Sequence, residues 1–274
     1  MTEDALGADG ATDPSAGTMG DVTGPHGGER FVTAGAPAMA AEAAVVLLHG
    51  RGATPEGFVR GVASDFYRHG VTFLAPAAHH GSWYPRAFDA PIDANEPHLS
   101  SAVDCVRHAL DRASDAGVPP ERTVLVGFSQ GACVAAEYAI RNRRRYGGLA
   151  VLSGAIPGTG AGNDGDGGGD GGGGGDGGGN GGGGGDGGGN GGVDSRVGIG
   201  TDDRGSLAGT PALVGCDEGD PHVGIDAIRE TTAILGELGA EVSERVYPDA
   251  GHAVTDDEME WIGDRLDALV AADD

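Results

Sequence analysis

Short apolar runs separated by helical patterns constrain the fold of this chain more than any other feature of its sequence. The runs are near-continuous rather than alternating, which is typical of parallel strands buried on both faces. They lie at 44–48, 71–75, 123–127, 149–152 and 211–215, and a more polar run follows at 242–247. Between them, apolar residues recur at helical spacing, as at Leu99, Val103, Val106 and Leu110. Strands that alternate with helices predict an α/β three-layer sandwich with a mostly parallel sheet, in which 242–247 is an edge strand.

Two helix starts can be located from their capping residues. Thr54 is followed by Pro55, the pattern of an N-cap with proline at the first helical position. Thr255 and Glu258 have the spacing of a capping box. We therefore predict that helices begin at Pro55 and directly after Thr255.

Composition divides the 274 residues into segments. Residues 1–28 hold five acidic residues, no basic ones and almost no large apolar groups, which predicts a disordered acidic tail. Residues 165–192 contain 22 Gly, four Asp and two Asn, and nothing else. Because these residues offer nothing apolar to bury, we predict a flexible insertion at about 158–206. The remainder of 29–274 forms one domain of ordinary size.

A calcium-binding repeat of the β-roll type is an alternative interpretation of the Gly-rich stretch. Such repeats have nine-residue spacing and a large apolar residue in every unit. Here the decapeptide GGGGGDGGGN occurs twice in succession, without an apolar residue. The composition therefore favours a flexible insertion.

The charge of the chain excludes some classes of partner. All 17 basic residues are Arg, and 42 acidic residues bring the formal net charge to -25. Without the tail and the insertion, 15 Arg face 29 acidic residues, so the core itself carries -14. This balance disfavours a nucleic-acid partner and stable membrane association, and it favours a soluble monomer or homodimer. Acidic excess without Lys also resembles proteins of salt-loving archaea.

Cysteine use and hydropathy predict a cytoplasmic location. The three Cys residues cannot all pair with one another and form no CxxC motif. The N-terminus lacks the pattern of a signal peptide, and no run approaches the ~20 apolar residues that span a bilayer.

The segment Gly127–Gly131 reads G-x-S-x-G, with Ser129 at its centre. The motif alone is weak in a chain with 56 Gly, but an apolar run precedes it and a helical pattern follows. Strand, sharp turn and helix are the context of a nucleophile elbow, in which the helix N-terminus stabilises developing negative charge. We predict that Ser129 is a nucleophile.

A serine nucleophile needs a base, which in turn needs an orienting acid, in the chain order Ser, acid, His. His252 lies between the last strand and the last helix and is the candidate base. The acid should follow the strand at 211–215, where Asp220 is favoured and Asp217 is the next candidate.

An oxyanion hole requires two N–H donors near the nucleophile. We assign them to the backbone N–H groups of Arg51, in a Gly-rich turn after the first apolar run, and of Gln130. A phosphate-binding turn is the rival interpretation of His49–Gly52, but the G-x-G-x-x-G and Walker patterns are absent. Trp83, Tyr84 and Phe88 are the candidates for the substrate pocket, although structural packing fits Trp83 nearly as well.

Five motifs resemble the phospholipase/carboxylesterase family of α/β hydrolases. They are LLHGRGA at 47–53, LAPAAHHGSWYP at 74–85, GFSQGA at 127–132, GCDEGDPHV at 215–223 and DAGHAV at 249–254. The resemblance implies the α/β-hydrolase fold without a large lid domain, with Ser129, Asp220 and His252 as the triad. It further implies hydrolysis of small-molecule carboxylic esters with no cofactor and no metal.

Two alternatives remain at this stage. A thioesterase or lysophospholipase would use the same triad with a longer apolar groove. A non-catalytic binding protein on a hydrolase fold is a different class, which the complete set of motifs counts against.

Overall fold

The computed structural model describes residues 15–66, 68–160 and 205–271. Eight strands of this part of the chain form one sheet in the order β1-β2-β4-β3-β5-β6-β7-β8. The strands are β1 (Ser15–Thr18), β2 (Arg30–Gly35), β3 (Ala43–Leu48), β4 (Val71–Pro76), β5 (Thr123–Phe128), β6 (Gly148–Leu152), β7 (Pro211–Asp217) and β8 (Glu241–Tyr247). The helices are α1 (Pro55–Phe66), α2 (His98–Asp115), α3 (Gln130–Arg141), α4 (Ile225–Glu237) and α5 (Asp256–Val270).

The sheet confirms the predicted α/β sandwich. Each of the six predicted runs is a strand, and β4, β3, β5, β6, β7 and β8 pair in parallel. β3 and β4 are buried along their whole length, as the continuous apolar runs require. β8 is the polar edge strand. The sequence pattern did not predict β1 and β2, which extend the opposite edge in antiparallel pairing.

Two apolar layers cover the two faces of the sheet. One layer lies between the sheet and α2, α3 and α4, with Leu99, Val106 and Ile228 fully buried. The other lies under α1 and α5, where Val59 and Ile262 pack against the strands. Both predicted helix starts are confirmed: Thr54 Oγ1 accepts a hydrogen bond from the Gly57 N–H, and Thr255 with Glu258 forms the capping box.

The segment Ser15–Gly28 is folded, which corrects the predicted disordered tail for these residues. Strand β1 pairs with β2, and the Met19 and Val22 side chains are buried in the layer below α2. The His26 ring is also buried: its Nδ1 accepts from the His79 N–H, and its Nε2 donates to the Trp83 carbonyl. Two buried apolar side chains and the backbone pairing with β2 thus hold this segment against the domain. Residues 1–14 lie outside the described residues.

The insertion is narrower than predicted. Gly158 donates its backbone N–H to the Phe88 carbonyl, and Gly160 donates to the Glu230 carboxylate. On the far side, Ser206 Oγ donates to the Leu238 carbonyl. Residues 158–160 and 205–206 thus belong to the domain, and the Gly-rich stretch itself lies outside the described residues.

In the described ranges, no helix is both long enough and apolar enough to cross a membrane.

Candidate active site

Ser129 occupies a sharp turn between β5 and α3. Its backbone has φ 54° and ψ −122°, a left-handed conformation that costs an L-residue about 1–3 kcal/mol. The turn is held because the Ser129 N–H donates to the Leu152 carbonyl at 2.8 Å, while its carbonyl accepts from Ala132 at 2.9 Å. This conformation points the hydroxyl away from the sheet at the carboxyl end of the strand, as the elbow motif predicts.

Two glycines allow the elbow to form. A Cβ at Gly127 would collide with the Gly131 carbonyl oxygen and would lie 2.5 Å from the Ala132 Cα. A Cβ at Gly131 would collide with the carbonyl of Leu48, the last residue of β3. Only glycine permits this approach between β3 and the start of α3, so both motif glycines are explained by packing.

The structure brings Ser129, His252 and Asp220 together. The Ser129 hydroxyl lies 2.8 Å from His252 Nε2, and His252 Nδ1 lies 2.7 Å from Asp220 Oδ2. The imidazole is 20% exposed, whereas the Asp220 side chain is fully buried. Phe128 and His222 flank the imidazole, with ring centroids 5.0 and 4.7 Å away. The arrangement allows His252 to take a proton from Ser129 while Asp220 fixes its tautomer.

Asp220 is held as an ionised acceptor. Burial alone would raise the pKa of its carboxyl, but the hydrogen bond from His252 and those from the backbone N–H groups of His222 and Val223 hold the pKa below its usual value. A charged carboxylate is therefore available to stabilise an imidazolium on His252.

Asp217, the other candidate acid, is bonded to the backbone of the histidine loop rather than to the imidazole. Its Oδ2 accepts from the N–H groups of Ala250 and Gly251 at 2.5 and 3.0 Å, and its Oδ1 accepts from Gly219 at 2.8 Å. The side chain is buried at the end of β7. Asp217 thus positions the loop that carries His252.

Arg51 and Gln130, the predicted oxyanion-hole residues, line the cavity next to Ser129. Both are tied to the Tyr84 carbonyl: Gln130 Nε2 donates to it at 2.7 Å and Arg51 Nη2 at 3.1 Å. The Ser82 hydroxyl donates to the same oxygen at 2.9 Å. One carbonyl therefore fixes the two backbone segments that carry the assigned N–H donors.

His49 supports the turn that precedes Arg51. Its Nε2 accepts from the Ala78 N–H at 3.2 Å, so the proton lies on Nδ1, which donates to the Gly50 carbonyl at 2.8 Å. Burial lowers the pKa of this imidazole and keeps it neutral. The supporting roles of His49, Asp217 and the Gln130 side chain were not predicted from the sequence. The sequence signal for each is a polar residue within or beside a site motif.

Two cavities meet at Ser129. One, of about 550 Å³, lies on the side of Tyr84, Phe88 and His222. The other, of about 510 Å³, lies on the side of α1 and is lined by Phe58, Val62 and Val254. An ester bound over Ser129 would therefore have room for a group on either side of its scissile bond.

Of the three residues predicted for the substrate pocket, Tyr84 and Phe88 line the cavity beside Ser129, whereas Trp83 lies outside it. The Trp83 side chain is fully buried, and its indole N–H donates to the His49 carbonyl at 2.8 Å. Its backbone N–H donates to Gln130 Oε1 at 2.9 Å. Trp83 faces the core because its indole and its backbone N–H both form hydrogen bonds there. It therefore supports the site residues His49 and Gln130 from the core side.

Cys133 lies one helical turn beyond Ser129 and lines the same cavity. Burial raises the pKa of its thiol, so the group stays protonated. Among the described residues, no group of three or more His, Cys, Asp or Glu side chains is placed to hold a metal ion.

A parallel sheet with helices on both faces, a strained serine between strand and helix, and an adjoining histidine and aspartate are the features of an α/β hydrolase. Residues 30–164, just under half of the chain, match the sequence model of the phospholipase/carboxylesterase family. This match includes three of the five motifs that carry the resemblance, at 47–53, 74–85 and 127–132.

Two curated proteins are similar to part of the chain. A stretch of 138 residues is 31% identical to acyl-protein thioesterase 1 of Yarrowia lipolytica and covers 44% of this chain and 61% of that protein. A stretch of 88 residues is 32% identical to a probable carboxylesterase of Oryza sativa and covers 30% and 33% of the two chains. The chain thus spans less than two thirds of either curated relative.

A solved structure covers more of the chain. The phospholipase/carboxylesterase from Dyadobacter fermentans superposes with a TM-score of 0.66 at 27% identity. The match covers 89% of this chain and 99% of the bacterial protein. The described core is therefore similar to a complete domain of this class.

Proposed function

We propose that this protein is a carboxylesterase that hydrolyses carboxylic esters through an acyl-enzyme on Ser129. The observation that carries the proposal is the continuous hydrogen-bonded row from the Ser129 hydroxyl through His252 to Asp220, at 2.8 and 2.7 Å. A serine hydroxyl is a weak nucleophile by itself, and such a row activates it.

The reaction proceeds in two halves. His252 Nε2 takes the hydroxyl proton as Ser129 Oγ attacks the ester carbonyl, and the same proton then passes to the leaving alcohol as the acyl-enzyme forms. A water molecule enters, gives its proton to His252 and attacks the acyl carbon; return of that proton to Ser129 releases the acid. Asp220 holds the imidazole in the required tautomer throughout and stabilises its charged form.

The backbone N–H groups of Arg51 and Gln130 stabilise the negative oxygen of the tetrahedral intermediates in this mechanism. One such donor contributes about 3 kcal/mol to the transition state. The shared anchor on the Tyr84 carbonyl keeps the two segments in a fixed relation before substrate binds. The start of α3 adds the positive end of its dipole beside Gln130.

Ester rather than thioester hydrolysis is favoured by the shape of the site. The cavity beside Tyr84 carries the polar residues Arg51, Arg86 and Asp89, whereas a long acyl chain requires an extended apolar groove. The thioesterase alternative has its support in the similarity to acyl-protein thioesterase 1 of Yarrowia lipolytica.

The test is a series of aryl esters and acyl thioesters of increasing chain length, assayed in high salt with wild type and Ser129→Ala. We expect turnover of short esters to exceed that of long-chain thioesters, and Ser129→Ala to abolish both. Ser114→Ala, at a serine of α2 whose hydroxyl donates to the Leu110 carbonyl, is the matched control and should retain full activity. Activity that survives Ser129→Ala contradicts the mechanism.

The setting of the enzyme is part of the same proposal. The acidic surface without Lys fits the cytoplasm of a halophilic archaeon, where molar salt screens the repulsion between like charges. In that setting the protein acts as a monomer or homodimer without a nucleic-acid partner. Fractionation of the source cells and light scattering in molar KCl test these points.

A further inference from the structure

The cavity on the Tyr84 side carries an excess of positive charge in a protein that is strongly negative overall. Arg51 and Arg86 line this cavity together with a single acid, Asp89. The whole chain has 42 acidic residues against 17 basic ones, so an arginine pair beside the nucleophile departs from the general pattern.

The position of the Arg51 guanidinium is fixed without neutralising its charge. Its Nη2 donates to the carbonyl oxygens of Tyr84 and Arg86, each at 3.1 Å. These partners are neutral, and among the described residues neither Arg51 nor Arg86 forms an ion pair with a carboxylate. The other donors of the fork therefore remain available to a ligand.

The backbone under Arg86 is held by a buried side chain. Asn95 is fully buried, its Oδ1 accepts from the Arg86 N–H at 2.8 Å, and its Nδ2 donates to the Ala87 carbonyl at 3.1 Å. Next along the chain, the Phe88 carbonyl accepts from Gly158 at 2.5 Å. The backbone of the exposed loop that presents Arg86 is thus held in place by hydrogen bonds to a buried side chain.

The second cavity at Ser129 has a different character. Its lining side chains beyond Arg51 and the reacting groups are apolar, among them Phe58, Val62 and Val254, and none is acidic. Ser129 therefore lies at the boundary between an apolar space and a cationic one.

From this arrangement we infer that the preferred substrate is an ester carrying a second, ionised carboxylate, which binds between Arg51 and Arg86 while an apolar group fills the cavity beside α1. The inference rests on the proposed esterase function. A planar carboxylate matches the guanidinium fork, which can bind both of its oxygens.

Matched ester pairs test the inference and show which side of the scissile bond carries the charge. Monoethyl adipate against ethyl hexanoate places a carboxylate on the acyl side. 4-(Butyryloxy)benzoate against its methyl ester places it on the alcohol side. Hydrolysis is followed by pH-stat, and kcat and KM are determined for both members of each pair.

We expect the charged member of one pair to be preferred, and Arg86→Gln to lower its kcat/KM by up to about fivefold, the size of an exposed charge pair. Arg86→Glu should lower it tenfold or more and Asp89→Asn should raise it, and in each variant the kcat/KM of the neutral ester should change by a clearly smaller factor. The change should lie in KM and shrink in 3 M KCl, because salt screens exposed charges. Arg112→Gln, an exposed arginine at the far end of α2, is the matched control.

The outcomes separate the two proposals. Hydrolysis of neutral and charged esters at equal rates, or an Arg86→Glu variant that treats both members of a pair alike, overturns the anionic-substrate inference and leaves the esterase intact. Loss of all ester hydrolysis from the wild type contradicts the proposed function itself. Thermal unfolding of each variant in the assay buffer verifies that the compared proteins are folded.

Discussion

Exchange of each of the two aspartates near His252 for asparagine should have different effects, because the two carboxylates bond to different groups. Asp220 accepts from the imidazole, whereas Asp217 accepts from the backbone of Ala250 and Gly251. Asp220→Asn should act on the reaction, and Asp217→Asn should act on the stability of the loop.

The size of the Asp217 effect follows from its three hydrogen bonds. Hydrogen bonds to charged groups contribute about 1.5–3 kcal/mol each and neutral ones about 0.5–1.5 kcal/mol. Asparagine retains one oxygen, which best faces the Ala250 and Gly251 N–H groups, so these two bonds weaken and the bond from Gly219 is lost to water. We expect the free energy of unfolding to fall by about 4 kcal/mol for Asp217→Asn, and by about 5 kcal/mol for Asp217→Ala.

The catalytic effects should differ by orders of magnitude. Displacement of a catalytic group by about 1 Å costs roughly 100-fold in rate, so we expect kcat of Asp217→Asn to fall about 10- to 100-fold. In Asp220→Asn the amide donates to His252 Nδ1, which forces the proton onto Nε2 and removes the base; a fall of about 10⁴-fold in kcat is expected, with KM little changed.

Urea unfolding and steady-state hydrolysis of an aryl ester in molar KCl measure the two effects. Asp115→Asn, at the exposed end of α2, is the matched control and should change neither quantity. Wild-type kcat in Asp220→Asn, or equal rate losses in the two variants, would refute the assignment of these roles.

Other expected outcomes concern salt, pH and the Gly-rich stretch. Because the core carries -14, the melting temperature should rise with KCl into the molar range, as the Debye length falls from about 30 Å at 0.01 M to 3 Å at 1 M; equal stability at 0.05 and 3 M KCl contradicts this reasoning. Burial lowers the pKa of His26 and His49 below the ordinary 6.5, so the stability present at higher pH should be lost as pH falls through 6.5 towards the lowered values, where the unfolded chain binds more protons. His26→Gln should be less stable than wild type at pH 7.5 but lose less on acidification, as thermal unfolding at pH 7.5 and 5.5 will show. Deletion of residues 165–192, which offer nothing apolar to bury, should leave the melting temperature nearly unchanged; a large decrease would show that the stretch is structural.

The sequence predicted those parts of the fold in which a residue pattern is typical of a single kind of element. Strands β3 and β5 are buried on both faces, and their continuous apolar runs identify them without reference to the rest of the chain. Strand β1 reads Ser-Ala-Gly-Thr and carries no apolar signal, because its conformation comes from pairing with β2. The burial of Met19 and Val22 is likewise a tertiary effect that composition alone does not reveal.

At the site, the order of motifs along the chain predicted the candidate nucleophile, base and acid, but not the residues that position them. The nucleophile motif, the histidine after the last strand and an aspartate after β7 could be identified, but the choice between Asp217 and Asp220 depends on where the loop after β7 turns. Trp83 was misplaced for a similar reason. An aromatic residue after a strand can face the cavity or the core, and the hydrogen bonds to His49 and Gln130 decide for the core.

The central claim, that Ser129 forms the acyl-enzyme with His252 as its base, is tested most directly by covalent labelling. The full-length protein is treated with a fluorophosphonate in molar KCl, digested and analysed by peptide mass spectrometry, beside Ser129→Ala and His252→Ala. The account predicts a single adduct on Ser129 in the wild type, none in Ser129→Ala and strongly slowed labelling in His252→Ala. An adduct on another residue, or labelling of Ser129 at the wild-type rate without His252, would contradict it.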